Sequence, residues 1–369
     1  MISSFAFPTS ILHGPGALRE AADRLRSLGG ARPLIVTDAG LLPTPAFQSL
    51  RVLFPESGVF SGVHPNPLEA DVNEGAAAYR EHGCDSVIGF GGGSALDVAK
   101  IVRAAVVPSV GKWSELTWKV QTGPLPPFIA IPTTAGTGSE VGRSSVITFG
   151  TTKRVIFHPE LLARLVILDP EVTTGLPPKL TAATGADAIV HCIESFTSPV
   201  FHPLCEAIAV EGLRIGCQFL PRAVADGSDL EARGMMLIAA TMGGIAFQKD
   251  LGAVHSLSHP LSAHFGVHHG LANALCLVPV MRFNAARKPG VYRRLAIAID
   301  LEDQSDEGFI SSMAGLLEAV GLTGGLRAHG VSESALPMLA DAAFADGCHA
   351  TNPVPVTRDD LLSLYEQAL

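Results

Sequence analysis

The stretch Asp85-Ser86-Val87-Ile88-Gly89-Phe90-Gly91-Gly92-Gly93-Ser94-Ala95-Leu96-Asp97-Val98-Ala99-Lys100 decides the fold. A short apolar run empties into three glycines, and an apolar-periodic stretch follows, so the order reads strand, glycine turn, helix. Backbone N–H groups in such a turn, together with the helix amino terminus, cradle a phosphate. Ser94 and Asp97 also have capping-box spacing, which leaves a purely structural reading open for both.

The same alternation continues on either side. Upstream, Gly16 to Leu28 has helical periodicity and Pro33-Leu34-Ile35-Val36-Thr37 reads as a buried strand. Asp38 stands directly after it, where an acidic group can bind ribose hydroxyls and repel a 2′-phosphate. A helix N-cap or turn aspartate is the equal alternative. A weaker strand at Gly58-Val59-Phe60 leads to His64-Pro65-Asn66-Pro67, an extended turn, and then to a helix from about Asp71 to His82. Downstream, Phe128-Ile129-Ala130-Ile131-Pro132 runs into Thr133-Thr134-Ala135-Gly136-Thr137-Gly138-Ser139-Glu140, where small residues allow close backbone approach and hydroxyls can donate to phosphate or ribose. Val166-Ile167-Leu168 closes the series, and Leu168 reads either as an adenine contact or as core.

From about Leu176 the strand signals stop. Long amphipathic helices take over at Pro203 to Ala225, Asp229 to Phe247 and Leu271 to Ala285. Alternating strands and helices followed by helices alone predict two domains, an α/β unit over 1–175 and an all-α unit over 176–369. A cleft between them is expected to bring nucleotide and metal signals together.

Those metal signals are dense. Five of the thirteen histidines fall within Gly252–Leu271, GAVHSLSHPLSAHFGVHHGL. His255 and His259 share a helical face at i, i+4, as do His264 and His268, with His269 beside them. Pro260 and Gly266 argue against one unbroken helix through to His269. Asp187 and His191 form another i, i+4 pair, and a carboxylate with an imidazole is a suitable half-site for a divalent ion. Each of these residues has an ordinary alternative as a surface or core side chain satisfied by backbone carbonyls.

Composition narrows the function. Hydrophobic residues at 47% and charged residues at 17% describe a globular protein with a large core and argue against disorder. A net charge of −9, without a Lys/Arg run, offers no footing for nucleic acid. The six scattered cysteines read as reduced thiols of a cytoplasmic protein. The segment MISSFAFPTSILHGPGALR has no basic residue before Arg19, so no signal-peptide n-region is expected, and the apolar run Met235 to Phe247 reads as a buried helix.

Six segments in order, HPNPLEADVNEG, GFGGGSALDVAK, IPTTAGTGSEV, VILDPEVT, GADAIVHCIES and VHSLSHPLSAHFGVHHGLANALCLVPVMRFN, resemble the iron-containing (group III) alcohol dehydrogenases from about residue 10 to residue 285. The resemblance implies a Rossmann-like amino-terminal domain for NAD and an all-helical carboxyl-terminal domain with one divalent metal, Fe2+ or Zn2+. The implied metal ligands are Asp187, His191, His255 and His269, with His259 as the proton-relaying active-site histidine. His264 and His268 match no ligand position. Gly92, Gly93, Ser94, Thr133 and Thr134 would hold pyrophosphate and nicotinamide ribose, with Asp97, Asn66, Lys153 and Leu168 lining the remainder and Asp38 favouring NAD over NADP. The implied reaction is hydride transfer between NAD(H) and a small alcohol, aldehyde or ketone, in a homodimer or larger homo-oligomer with no membrane partner. The alternatives are a metal-independent reductase of the maleylacetate type, a dehydroquinate synthase-like lyase and a non-catalytic binding protein.

Overall fold

A computed structural model describes residue 7 and residues 9–150 and 152–369. Much of the segment read above for a missing n-region lies outside the described residues. The chain forms two compact units. The first runs to Thr134 and resumes over Gly138–Leu176, and the second takes Ala135–Thr137 and Pro177–Leu369. The short insertion Ala135–Thr137 keeps company with the helices because Gly136 lies against Thr184, where a Cβ would stand 2.9 Å from the Thr184 carbonyl oxygen.

The first unit is built on strands β1 (Ser10–His13), β2 (Pro33–Val36), β3 (Gly58–Phe60), β4 (Ser86–Gly91), β5 (Phe128–Pro132) and β8 (Leu165–Leu168), all parallel in the order β1-β8-β5-β4-β2-β3. β2, β4, β5 and β8 are buried along their whole length, which explains why their sequences are continuous apolar runs. Four helices connect them: α1 (Ala21–Ser27), α2 (Pro45–Leu53), α3 (Glu69–Glu81) and α4 (Gly93–Ala105). The helix expected over Gly16 to Leu28 divides into a tight turn at Ala17–Glu20 and then α1. An antiparallel hairpin of β6 (Ser144–Phe149) and β7 (Thr152–Phe157) was not anticipated.

Strand order reverses between β2 and β4, because β3 lies outside β2 and β5 lies on the far side of β4. Ligands of open parallel sheets bind at the carboxyl edge of such a reversal. Asp38 and Gly91–Ser94 sit there.

The second unit is helical: α5 (Pro178–Thr197), α6 (Pro203–Ala225), α7 (Leu230–Ala246), α8 (Ala253–Phe265), α9 (His269–Arg287), α10 (Arg293–Ala298), α11 (Asp306–Ala319), α12 (Leu336–Ala345) and α13 (Arg358–Ala368). Gly266, at φ 64°, ends α8 in the left-handed region, whereas Pro260 lies inside the helix without breaking it. Leu230–Lys249 is long and apolar enough to cross a membrane by composition, longer than the run read above, but it is mostly buried, as the core helix of a globular unit is.

Candidate functional site

Helix α5 places Asp187 and His191 one turn apart, both buried, and α8 and α9 bring His255 and His269 to the same carboxylate. From Asp187 Oδ1 the Nε2 atoms of His191, His255 and His269 stand 3.8, 3.8 and 3.5 Å away. Donor atoms of Asp187, His191 and His255 all lie within 4.8 Å of one another. These separations are too long for hydrogen bonds. They fit donors around one cation, since ligands at ordinary metal distances in a tetrahedron stand about 3.4 Å apart.

The electrostatics fit a cation as well. Burial, which outweighs the attraction of Asp187, lowers His191 to about 4 and holds His269 well below the imidazole range, so both keep a free lone pair. Asp187 stays ionised, because the surrounding imidazoles overcome the penalty of its burial. His255 goes the other way. Burial opposes its charge, but Asp187 on one side and Glu194 on the other raise it to about 9. A proton held between two carboxylates occupies the place that a divalent ion would take.

Two members of this cluster escaped the sequence reading. Glu194 Oε2 accepts from His255 Nδ1 at 2.5 Å and its Oε1 accepts from the Val254 N–H at 2.7 Å, which sets the ring so that Nε2 faces Asp187. Asn273, fully buried on α9, donates from Nδ2 to Asp187 Oδ1 at 2.7 Å and stands 3.2 and 3.3 Å from Nε2 of His255 and His269. Both had a signal in spacing: Glu194 is three residues past His191, and Asn273 four past His269. Outer-shell carboxylates on ligating histidines typically carry 10–100-fold in metal affinity. Glu194→Gln is therefore expected to weaken metal binding by roughly that factor, read by competition with a chelator, while an unchanged affinity would show that Glu194 only packs.

His259 is half-buried beside the cluster, its ring stacked on His269 at 5.4 Å and edge-on to His255 at 5.9 Å. Its Nδ1 lies 2.8 Å from Asp346 Oδ2. Cys348 is near enough to count as a third donor. Burial and Asp346 push its thiol far up, so it stays protonated and inert. His264 and His268 are exposed, in keeping with their matching no ligand position of the motif.

In the α/β unit, Gly92 caps α4 without help from any side chain, leaving first-turn N–H groups to point at a ligand. Gly91 has φ 153°, and a Cβ there would meet Ala95 Cβ at 2.7 Å, so this turn requires glycine. Thr133 N–H bonds Gly91 O at 3.0 Å, and Thr134 Oγ1 lies 3.4 Å from where a Cβ of Gly92 would be. Asp38, Gly92, Gly93, Ser94, Thr133 and Thr134 thus gather at the carboxyl ends of β2, β4 and β5. The capping-box alternative fails. Ser94 Oγ instead donates to Pro65 O at 2.7 Å beside Asn66, which is half-buried in its turn.

The Asp97 carboxylate accepts from Ser139 Oγ, Lys100 Nζ and the Val146 N–H, so it ties α4 to the hairpin. Asp38 caps no helix, since Thr44 caps α2, but it opens a turn, its carbonyl accepting from the Leu41 N–H at 3.2 Å, and it forms an isolated bridge with Gly62. Lys153 is half-buried on β7, with its ammonium lowered by that burial. Leu168 is fully buried in β8, the core reading of the two left open.

Known proteins match this arrangement along its whole length. The family model described as "Iron-containing alcohol dehydrogenase" matches residues 8–170, and "Fe-containing alcohol dehydrogenase family, C-terminal" matches 181–369. The chain is 40% identical to a 4-hydroxybutyrate dehydrogenase of Cupriavidus necator, over 96% of each chain. Its structure superposes on that of a 1,3-propanediol oxidoreductase with TM-score 0.95 at 33% identity, covering 100% of both. It also superposes on a sulfoacetaldehyde reductase from Bifidobacterium kashiwanohense in complex with NAD+, with TM-score 0.90 at 30% identity over 100% and 99% of the chains. The glycine-turn sheet, the cluster of one aspartate with three histidines and the full-length match together place this chain in the iron-containing alcohol dehydrogenase family, an oxidoreductase by reaction class.

Proposed function

We propose that this chain oxidises a small primary alcohol to its aldehyde, and reduces the aldehyde in reverse, with NAD as hydride acceptor and one divalent metal, iron before zinc. The observation that carries the reading is the convergence of three imidazole Nε2 atoms on Asp187 Oδ1 at 3.5–3.8 Å. A divalent ion held there supplies Lewis acidity toward an alcohol oxygen, and NAD supplies the acceptor carbon for hydride. The balance is one hydride to nicotinamide and one proton released for each carbonyl formed.

The chain's own residues do the rest. Asp187, His191, His255 and His269 hold the cation, with Glu194 and Asn273 fixing two of their orientations. His259, partly open to solvent, takes the released proton and returns it to water. The α4 amino terminus with Gly92, Gly93 and Ser94 grips the pyrophosphate, and Thr133, Thr134, Asn66 and Lys153 orient the ribose and nicotinamide. Asp97 holds the hairpin bearing Lys153 against α4. Asp38 excludes a 2′-phosphate by charge. Asp38→Gly is accordingly expected to lower KM for NADP at least tenfold, measured as reduced-nicotinamide formation with each cofactor; an unchanged NAD/NADP ratio would remove Asp38 from the selectivity site.

The activities for which the 4-hydroxybutyrate and 1,3-propanediol relatives are named support a small primary alcohol. Six free cysteines support a cytoplasmic setting, and the family supports a homo-oligomer. The deciding experiment is metal analysis of protein purified without oxygen, paired with an NAD-linked screen of alcohols and aldehydes. One metal per chain with NADH formation supports the reading. Full activity without metal would favour the maleylacetate-type reductase, and bound metal and NAD without turnover would favour a binding protein.

A further inference from the structure

We infer that Asp346, contributed by the carboxyl-terminal region, is a positioning residue that fixes the tautomer of His259. The inference rests on the proposed role of His259 as proton carrier. Asp346 caps the end of α12, and its two carboxylate oxygens are divided between different tasks. Oδ2 lies 2.8 Å from His259 Nδ1, while Oδ1 accepts from Ser256 Oγ and from the Cys348 N–H, each at 2.9 Å. A carboxylate accepts and cannot donate, so a neutral His259 ring must carry its hydrogen on Nδ1. The free lone pair is then on Nε2, the only nitrogen left to take a proton.

The segment bearing Asp346 is fastened to the helix bearing His259. Ser256 Oγ accepts from the His349 N–H at 2.8 Å, Thr351 Oγ1 donates to Leu251 O at 2.8 Å, and Asn352 Oδ1 accepts from the Ala253 N–H at 3.2 Å. Residues 346–352 therefore form a latch along the start of α8, and its one charged group aimed at an imidazole is Asp346. This gives a segment beyond the six quoted motifs a defined task at the site. The logic is that of the aspartate in a Ser-His-Asp triad, where the amide replacement keeps shape and loses the correct tautomer.

The test is Asp346→Asn, His259→Asn and their combination in the metal-loaded enzyme. Expected is a fall of roughly 100-fold in kcat/KM for the alcohol in Asp346→Asn, with metal content and KM for NAD unchanged. The double variant should be no worse than His259→Asn alone. In 15N-histidine NMR of the metal-free protein at alkaline pH, the resonance missing from His259→Asn should report the Nδ1–H tautomer and switch to Nε2–H in Asp346→Asn. Multiplicative losses in the double variant, or an unswitched tautomer, would overturn the assignment. If the parent enzyme turned over no alcohol at all, the functional reading would fall, and the NMR result would still decide the role of Asp346.

Discussion

Asp187→Asn is expected to leave the protein folded, strip it of metal and lower kcat/KM for alcohol by roughly 10³-fold, taking the metal's contribution as about 4 kcal/mol. Asp187 Oδ1 is the one atom near which all three Nε2 atoms gather, and it is the acceptor for Asn273. An asparagine keeps the shape and can keep the bond to Asn273 through its oxygen. It loses the negative charge, and a buried divalent ion would then face three neutral rings with no anion among its direct ligands. Metal per chain after dialysis and NADH formation should fall together. If the variant lost its metal yet kept full activity, the chemistry would belong to a metal-independent reductase and the site reading would fail.

Gly270→Ala is expected to damage both stability and metal binding, although residue 270 is no ligand. A Cβ at this position would lie 2.0 Å from the Ala183 carbonyl oxygen, 2.8 Å from its carbon and 3.1 Å from Asp187 Cβ. The obstacle is helix backbone, which cannot swing aside as a side chain can, so α9 must retreat from α5 by about 1 Å or more. Overpacking of this kind costs about 1–3 kcal/mol, and a 1 Å misplacement at a reacting centre can cost about 10²-fold. His269, the neighbouring residue, would be carried away from Asp187. Gly315→Ala is the matched control, because a Cβ on that exposed face of α11 meets nothing within 4 Å. It should be neutral or stabilising by up to about 1 kcal/mol. A Gly270 variant melting with the Gly315 variant, with full metal content, would show that α5 and α9 do not need this contact.

The features legible in the sequence were local ones. Buried parallel strands are continuous apolar runs, so Leu34-Ile35-Val36, Val87 to Phe90 and Phe128 to Ile131 announced themselves, and the glycines after β4 marked the turn. Pairs such as Asp187 with His191 are one helical turn apart, so secondary structure alone aligns them. The β6–β7 hairpin leaves a weaker signal, because its apolar stretches are only Val146-Ile147 and Val155-Ile156-Phe157 and several of its positions are exposed, so no long buried run marks it.

By itself, then, the chain's order of residues determined the α/β-then-α architecture, the glycine-turn nucleotide signal and the residue types able to hold a cation. Tertiary structure alone decided which of those residues meet. Glu194 reaches His255 across 61 positions, Asp346 reaches His259 across 87, and Asn273 reaches Asp187 across 86. Periodicity extends only as far as one helix or strand. Beyond that, partners are chosen by how helices pack, as where Gly270 lets α9 lie directly against the backbone of α5.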